Sequence, residues 1–325
     1  MSTNRIFHWG ILGCGKIAHE FAEDLALIGN ANLHAVASRS EERAKDFAST
    51  YYAEKWYGDY QQLVDDDQVD IIYIATPHSF HYEHTLLGLN AKKAVLCEKP
   101  FAMNADQVKE MIACAKENKT FLMEALWTRF LPHYQKVLEF LKTKELGEIT
   151  HLQADFGFDS PFDPDRRIYN KALGGGSLLD VGIYPVFAAL TLLGQPKEIT
   201  ASAVFGKTQV DHQCTIEFRY AKGVTADLCS AIDQKTPTEC IITCQKGIIK
   251  INSRFHEPST VSILQGGQEE TLDVGYTSNG YYYEAVHVQE MLAQDRFESD
   301  VWGFDQSLAL IELLDTIRER IGLEY

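Results

Sequence analysis

Three side chains capable of proton transfer stand at positions where the chain would hold them in place. Lys99 follows an apolar segment, lies beside Glu98 and precedes Pro100, a setting that restricts its ammonium group. Its charge could polarise a substrate oxygen or lower the pKa of a neighbouring phenol. Asp180 and Tyr184 are four residues apart and would share one helix face. A surface lysine, a capping aspartate and a core tyrosine are the structural alternatives.

A glycine-rich turn near the N-terminus has the spacing of a dinucleotide-binding motif. Gly13, Gly15 and Ala18 occupy the small-residue positions of G-x-G-x-x-G/A, after the apolar segment 7–12. The first glycine permits the turn, the second lets backbone approach a pyrophosphate, and the third position lets helix pack against strand. A turn that binds nothing is the alternative. The other predicted phosphate contacts lie in the turn and helix start: Cys14, Lys16 and Ile17.

The residues after the second predicted strand, 32–37, bear on the choice of dinucleotide. The strand ends at Ser38, about 25 residues after Gly13, where the ribose-reading residue of this motif belongs. An acidic residue there would favour NAD, because it repels a 2′-phosphate. A hydroxyl followed by Arg39, with Arg43 one helical turn later, suits a 2′-phosphate. We therefore expect NADP, with NAD possible; a solvated helix start is the alternative for both arginines.

Strand and helix patterns alternate through the first 125 residues and predict a doubly wound parallel sheet, the Rossmann arrangement. Ligands of such sheets bind beyond the carboxyl ends of the strands. The predicted strands are 7–12, 32–37, 69–75, 94–97 and 121–124, and the predicted helices are 16–27, 41–49, 82–90 and 105–117. The strand ends supply further predicted cofactor contacts: Thr76, Pro77, His81, Glu98 and Lys99.

Three histidines spaced by three residues, His78, His81 and His84, raise the question of a metal site. On a helix, two of them could lie on one face as ligands. No second cluster of cysteine or acidic residues accompanies them in the sequence. We therefore expect no metal, and we assign His81 to the cofactor cleft and His84 to the surface.

The second half of the chain has a different pattern, so we predict two domains, a dinucleotide-binding domain (1–125) and an α+β domain (126–325). Gly174-Gly175-Gly176 opens a helix in which Pro185 predicts a kink or an early break. Strand-like segments with turns follow from residue 199 and predict a large, mainly antiparallel open sheet. The uncovered face of such a sheet would favour oligomerisation. Helices are predicted at 280–293 and 304–321.

Composition excludes several classes of protein. The chain has 325 residues, 45% hydrophobic and 23% charged, as in a globular protein with two cores. Its net charge of −16 disfavours nucleic acid and anionic membranes as partners. No apolar run approaches the roughly 20 residues of a membrane helix, and no signal-peptide pattern begins the chain. The seven cysteines form no C-x-x-C pair, so we expect reduced thiols and a cytoplasmic protein.

Taken in order, these motifs resemble the Gfo/Idh/MocA oxidoreductases along the whole chain. The matching segments are GILGCG (10–15), ATP (75–77) with His81, CEKP (97–100), and GGG (174–176) with DVGIY (180–184). Tyrosine at 184 together with EALWTRF (124–130) resembles the branch that contains dihydrodiol, NADP-dependent xylose and glucose–fructose oxidoreductases. The resemblance implies that Lys99 and Tyr184 form the catalytic pair, that Trp127 and Arg129 lie along the cofactor, and that the second-domain sheet forms a homodimer.

The chemistry that follows is NADP-dependent hydride transfer between nicotinamide C4 and a carbinol carbon of a sugar, polyol or trans-dihydrodiol. Tyr184 would exchange the hydroxyl proton, helped by Lys99, while Asp180 would orient Lys99 or bind a second substrate hydroxyl. Trp127, with Phe158 and Tyr169, would supply an apolar face for the substrate or belong to the core. Two alternatives remain: a non-catalytic NADP sensor, which need not retain the lysine and tyrosine, and an NAD-assisted glycosidase, against which Ser38-Arg39 argues.

Overall fold

Contacts divide the chain into two units, each containing two stretches of sequence. The structure is a computed structural model and describes residues 5–325. The first unit comprises the chain up to Trp127 together with Thr277–Leu308, and the second comprises Thr128–Tyr276 with Ala309–Tyr325. The first unit therefore includes residues 277–308, which the predicted boundary at 125/126 assigned to the other domain. Asp24 joins the two stretches of the first unit, because its carboxylate accepts hydrogen bonds from the backbone N–H groups of Gly280 (2.9 Å) and Tyr282 (3.0 Å).

Within the described residues, six parallel strands form the sheet of the first unit, in the order 3-2-1-4-5-6. This is the strand order of the dinucleotide-binding fold, so the predicted doubly wound sheet is confirmed. The fourth strand is buried at every position, as expected for a parallel strand covered on both faces. The strands are β1 (Phe7–Leu12), β2 (Ala31–Ala37), β3 (Lys55–Tyr57), β4 (Ile71–Ile74), β5 (Ala94–Glu98) and β6 (Leu122–Ala125).

The helices of the first unit begin where the sequence places capping residues. Ser40, Asp59 and Asn104 each accept a hydrogen bond from the backbone N–H two or three residues later, which satisfies one of the open helix donors. The helices are α1 (Lys16–Leu25), α2 (Glu41–Tyr51), α3 (Tyr60–Val64), α4 (His81–Asn90), α5 (Ala105–Asn118) and, from the later stretch, α8 (Tyr281–Leu292).

The second unit contains an eight-stranded sheet in the order β14-β13-β12-β11-β7-β10-β9-β8, with α6 (Pro132–Thr143) leading into it. Among the described strands, neighbours pair antiparallel except β7 with β10, so the mainly antiparallel prediction is confirmed. The strands are β7 (Ile149–Gly157), β8 (Glu198–Phe205), β9 (Asp211–Arg219), β10 (Thr225–Ala231), β11 (Cys240–Cys244), β12 (Gly247–Ile251), β13 (Val261–Gln265) and β14 (Gln268–Leu272).

A helical segment covers part of this sheet and carries two predicted site residues. A five-residue π-helical turn, Leu178–Gly182, leads into α7 (Ile183–Leu193), which packs against β7 and β10. The sequence predicted a kink or an early break at Pro185: the helical backbone continues through the proline to Leu193, so the break does not occur, and a π turn, a usual cause of a helix kink, immediately precedes the proline. The irregularity lies before the proline, in the π turn. The chain ends with α9 (Phe304–Ile321), as predicted.

One stretch, Lys171–Leu193, is long and apolar enough to cross a membrane by length and composition, contrary to the expectation from the sequence. However, 72% of its most apolar window is buried inside the protein, as in a core helix.

The cysteines are all free thiols, and burial raises the pKa of several of them, including Cys240 to about 12. This agrees with the prediction of reduced thiols that pack as small apolar groups.

Candidate active site

The glycine turn lies between the carboxyl ends of three strands of the first unit. Gly13 has a φ of +102°, and a Cβ there would lie 2.9 Å from Thr76 Cγ2, so the position requires glycine. Its N–H donates to the carbonyl of Ala37 (2.9 Å), at the end of β2. Gly15 differs, because it is exposed and a Cβ there would approach only the carbonyl oxygen of Ala75, at 3.9 Å. The second glycine therefore leaves its outer side open to a ligand.

The start of α1 offers unsatisfied donors next to this open side. Gly15 is the N-cap residue, and no side chain caps the helix among the described residues. The first N–H groups of such a helix suit a phosphate. Cys14 donates its thiol to the carbonyl of Ala37 (3.7 Å), and burial raises the pKa of Cys14 to about 12, so it is a neutral thiol and no nucleophile. Lys16 is exposed and Ile17 is half-buried.

The residues predicted to read the ribose follow β2 directly. Ser38 is buried, and its hydroxyl accepts a hydrogen bond from the N–H of Ser40 (3.3 Å), so it fixes the turn. Arg39 is exposed, with its guanidinium carbon 5.9 Å from the ring centroid of Phe80. This aromatic contact was not predicted, and it orients a cation beside the end of β2. Arg43 is also exposed, and its N–H donates to the capping Ser40 hydroxyl (3.4 Å).

His81 connects two strand ends. One ring nitrogen lies 2.8 Å from the carbonyl oxygen of Thr76 and the other 2.8 Å from that of Pro100. Burial lowers the pKa of His81 to about 4, whereas both carbonyls favour the doubly protonated ring, because a neutral ring can donate to only one of them. Pro77 lies within the segment that follows β4, half-buried. The surface assignment of His84 is wrong: it is buried and its ring nitrogen lies 3.0 Å from the Thr76 hydroxyl.

The segment that carries the predicted catalytic lysine is fixed by its neighbours. Glu98 is buried and accepts hydrogen bonds from the Tyr73 hydroxyl and from the Lys99 backbone N–H (3.2 Å). Burial raises the pKa of Glu98. The Lys99–Pro100 peptide is cis, a point that the sequence left open. Lys99 is half-buried at the carboxyl end of β5, the edge of the sheet where ligands of this fold bind.

A second buried carboxylate, Glu124 at the end of β6, holds the same segment from the other side. One of its oxygens accepts from the backbone N–H of Phe101 (3.0 Å) and the other from the indole N–H of Trp302 (3.1 Å). Burial raises the pKa of Glu124 to about 7. Sequence analysis missed this role, because the partner Trp302 lies 178 residues away in the chain.

Trp127 and Arg129, predicted to lie along the cofactor, belong to different units. Trp127 is buried and stacks on Tyr281, with the ring centroids 4.4 Å apart. The Nη1 atom of Arg129 is buried and forms no hydrogen bond to any described residue, and burial lowers the pKa of this side chain. Their contact with a cofactor remains a prediction.

In the second unit, Tyr184 and Asp180 lie at the junction of the π turn with α7. Tyr184 is buried, and its ring lies 4.8 Å from the ring of His256 and 5.7 Å from that of Phe156. Asp180 accepts a hydrogen bond from Arg167 (2.7 Å), so it is held by an ion pair and does not cap a helix. Arg167 and His256 were not predicted from the sequence, because each lies in a segment without a regular helix or strand pattern.

The glycine run before this helix has a packing role. A Cβ on Gly175 would lie 2.7 Å from the carbonyl oxygen of Arg167, and one on Gly176 would lie 2.1 Å from Asp211 Oδ1. The buried Asp211 accepts from the Ser177 hydroxyl and the Leu178 N–H, both at 2.7 Å, and burial raises its pKa to about 6. The run therefore fixes the helix start that carries Asp180.

The predicted apolar substrate face is partly core. Tyr169 is fully buried and donates its hydroxyl to the carbonyl of Ser160 (2.6 Å). Phe158 packs against the cluster that contains Tyr169 and Ile232. The structural alternative therefore holds for Tyr169, which presents no exposed ring to a substrate.

Two family profiles match this chain in succession. One, for the oxidoreductase family with an NAD-binding Rossmann fold, matches residues 7–126, and the other, for the Gfo/Idh/MocA C-terminal domain, matches residues 134–250. The chain belongs to the Gfo/Idh/MocA family. It is an oxidoreductase by this membership, which confirms the resemblance read from the motifs.

Named relatives in this family extend over nearly the whole chain. Trans-1,2-dihydrobenzene-1,2-diol dehydrogenase of Xenopus tropicalis is 35% identical, with 98% of both chains covered. The NADP(+)-dependent scyllo-inositol 2-dehydrogenase of Bacillus subtilis is 31% identical, again with 98% of both covered. Among solved structures, a 3-ketoreductase from Actinomadura kijaniata in complex with NADP and TDP-benzene has a TM-score of 0.89 at 26% identity, with 98% of both chains covered.

A dinucleotide fits the first unit of this Gfo/Idh/MocA chain. The open side of Gly15 and the uncapped start of α1 suit a pyrophosphate, and Arg39 is an exposed cation directly after β2. Gly15 and Arg39 therefore suit a dinucleotide, and the cofactor contacts of the other named residues stay predictions.

Proposed function

We propose that this chain is an NADP-dependent oxidoreductase that transfers a hydride between nicotinamide and a carbinol carbon of a sugar, polyol or trans-dihydrodiol. The observation that carries the proposal is the pairing of an open glycine turn at Gly15 with Arg39 after β2, where an acidic residue would select NAD. The relatives act on a cyclic diol and an inositol, both rings that carry neighbouring hydroxyl groups.

Bound NADP supplies the hydride acceptor or donor, and the chain's own residues handle the proton. Tyr184 takes the hydroxyl proton of an alcohol or returns it to a carbonyl. Because a free phenol ionises only near pH ~10, this role requires a positive charge that favours the phenolate. Lys99 is the residue we propose for that charge. Glu98 and Glu124 support it by fixing the backbone on either side.

Asp180 is proposed to orient Lys99 or to bind a second substrate hydroxyl. Its ion pair with Arg167 at 2.7 Å fixes one carboxylate oxygen. A planar guanidinium holds a carboxylate in a defined plane better than an ammonium does. Arg167 therefore acts as a positioning residue for Asp180 in this proposal.

The test is turnover of NADP⁺ with a panel of aldoses, inositols and cyclic trans-diols. Lys99→Met and Tyr184→Phe should each reduce kcat by at least about 100-fold on an accepted substrate, the usual scale of general acid–base catalysis. Lys246→Met and Tyr52→Phe, both at exposed positions, are the matched controls and should retain full activity. Full turnover in both site variants would refute the pair, and tight NADP binding with no turnover of any substrate would identify a sensor instead.

We further propose a cytoplasmic homodimer formed through the sheet of the second unit. Val204 and Phe205 at the end of β8 are exposed apolar side chains on an edge strand of that sheet. The free cysteines agree with a reducing compartment. Sedimentation equilibrium should give twice the chain mass of 36.7 kDa, and a monomer at micromolar concentration would refute the dimer.

A further inference from the structure

A cluster of potential metal ligands lies away from the glycine turn, near the amino-terminal ends of the first strands. His8 is the second residue of β1, His34 lies in β2, and Glu54 immediately precedes β3. One ring nitrogen from each histidine and one carboxylate oxygen from Glu54 all lie within 4.8 Å of one another. Five residues of extended strand separate His8 from Gly13, about 16 Å, so this histidine–glutamate cluster is distinct from the cofactor site.

Hydrogen bonding leaves one atom of this cluster with a free lone pair. The Nε2 atom of His34 lies 3.1 Å from Asp66 Oδ2, and since an ionised carboxylate only accepts, Nε2 carries the proton. The side chain of His34 is 0% exposed, and its Nδ1 forms no hydrogen bond to any residue in 5–325. Glu54 Oε2 lies 3.3 Å from this Nδ1. Two acceptors at this distance need a cation between them, which is either a second proton on the His34 ring, giving a charged imidazolium, or a metal ion.

Backbone geometry explains how the ring of His34 comes to face the cluster. Trp9 pairs with Leu33, whereas the next residue of β1 pairs with Ala35, so His34 is the extra residue of a register shift. Such bulges redirect a side chain. The rings of His34 and His8 consequently meet edge to face, with centroids 5.5 Å apart.

Asn32 lies where its side-chain amide could supply a fourth metal ligand. Its amide nitrogen lies 3.1 Å from His8 Nδ1 and 2.7 Å from Glu54 Oε1, between two members of the cluster. The amide oxygen and nitrogen exchange places by a rotation of the terminal group, which would present an oxygen to a cation. Asp66 would then serve as the outer carboxylate that orients His34, an arrangement typical of zinc-bound histidines. Asp66 is itself fixed by Lys55 and by Tyr57, each at 2.9 Å.

We propose that His8, His34 and Glu54 bind one Zn²⁺ ion, with the Asn32 oxygen or water as the fourth ligand. Two imidazoles and a carboxylate suit zinc, whereas Mg²⁺ and Ca²⁺ prefer sites made of oxygen alone. The ion would link β1, β2 and the start of β3, and its role is to stabilise the first unit. The inference does not depend on the proposed function.

The test uses the untagged, full-length protein after treatment with a chelator, titrated with ZnCl₂ by calorimetry, with MgCl₂ and CaCl₂ as comparisons. We expect one Zn²⁺ per chain, a zinc-dependent rise in Tm, and no saturable response to the other two ions. Glu54→Gln and His8→Gln should each weaken zinc affinity by at least about tenfold, the scale seen even for outer ligands. Glu54 is half-exposed, with 54% of its side chain accessible, so its variant should fold.

His151→Gln is the matched control, because His151 also has a carboxylate, Asp227, within 3.7 Å but lies outside the cluster. It should leave both stoichiometry and affinity unchanged. Absence of saturable zinc binding would overturn the proposal. Equal affinity in the wild type, Glu54→Gln and His8→Gln would also overturn it, because zinc would then bind elsewhere on the surface.

Discussion

Glu124 should make the folded protein less stable as the pH rises from about 5.5 to 8. Its pKa rises from an ordinary value of 4.5 to about 7, because the carboxyl group is buried. Between about pH 5.5 and 7 the folded chain therefore keeps a proton that the unfolded chain has lost, and above pH 7 the folded chain loses it too. Since the state that binds more protons is favoured at low pH, folding stability from this group is full below its unfolded pKa and is lost as the pH rises through 7.

The size of the effect follows from the two pKa values. One pKa unit corresponds to about 1.4 kcal/mol, so this carboxyl costs about 3 kcal/mol of stability once the pH is well above 7. Between about pH 5.5 and 8, the change is about 2 kcal/mol, which denaturant unfolding resolves readily. Other buried acids, including Asp211, whose pKa burial raises to about 6, add to the slope of the wild type. A variant is therefore needed to isolate Glu124.

Glu124→Gln removes the titration and retains the shape of the side chain. It should be less stable than the wild type at low pH by about 1–3 kcal/mol, because one of the donors from Phe101 and Trp302 loses its acceptor. The difference in unfolding free energy between variant and wild type should then shrink by about 2 kcal/mol from pH 5.5 to 8. Glu117→Gln, at an exposed position of α5, should leave the pH slope unchanged. A parallel slope in Glu124→Gln and wild type would refute the reasoning.

Three further predictions follow from single contacts. Arg39→Ala should raise KM for NADP by about tenfold or more and leave KM for NAD nearly unchanged, because only the 2′-phosphate loses a charge-assisted partner. Gly176→Ala should destabilise folding by at least about 2 kcal/mol in urea, since its φ is +127° and its Cβ would clash with a carboxylate oxygen; Gly194→Ala, with φ +77° and open space, should cost less. Arg167→Met should lower kcat/KM, and Arg167→Lys should restore part of it.

Helices and strands with a clear pattern of apolar residues could be predicted from the sequence, whereas very short strands could not. Strand β4 was found because all four residues, Ile71–Ile74, are apolar and buried. Strand β3 was missed because Lys55–Tyr57 is only three residues long and partly exposed, so it forms no period. The contact-based units differ from the predicted boundary for a related reason. The start of α8 is held in the first unit by hydrogen bonds that its backbone N–H groups donate to Asp24, more than 250 residues earlier in the chain.

In the candidate site too, residues whose position follows from their own strand could be predicted, whereas partners from distant parts of the sequence could not. Lys99 and Arg39 were predicted as site residues because each follows a strand, and their place at the strand ends is confirmed; the end of a strand in a parallel sheet is a local property of the sequence. The partners that hold the site were not identified. Arg167 and His256 lie in segments without a period, and their contacts with the residues near α7 depend on how the chain folds back on itself.

The two glycine runs of the chain show most directly why a motif alone does not define a site. The first was interpreted as a phosphate-binding turn, and the second as the opening of the helix that carries Asp180 and Tyr184. At Gly15 the absent Cβ leaves space that no neighbouring atom fills closer than 3.9 Å, which is what an approaching pyrophosphate requires. At Gly175 and Gly176 the same absence makes room for the protein's own oxygens, at 2.7 Å and 2.1 Å from where a Cβ would lie. A glycine marks a close approach in either case, and only the fold determines whether the approaching group is a ligand or the chain itself.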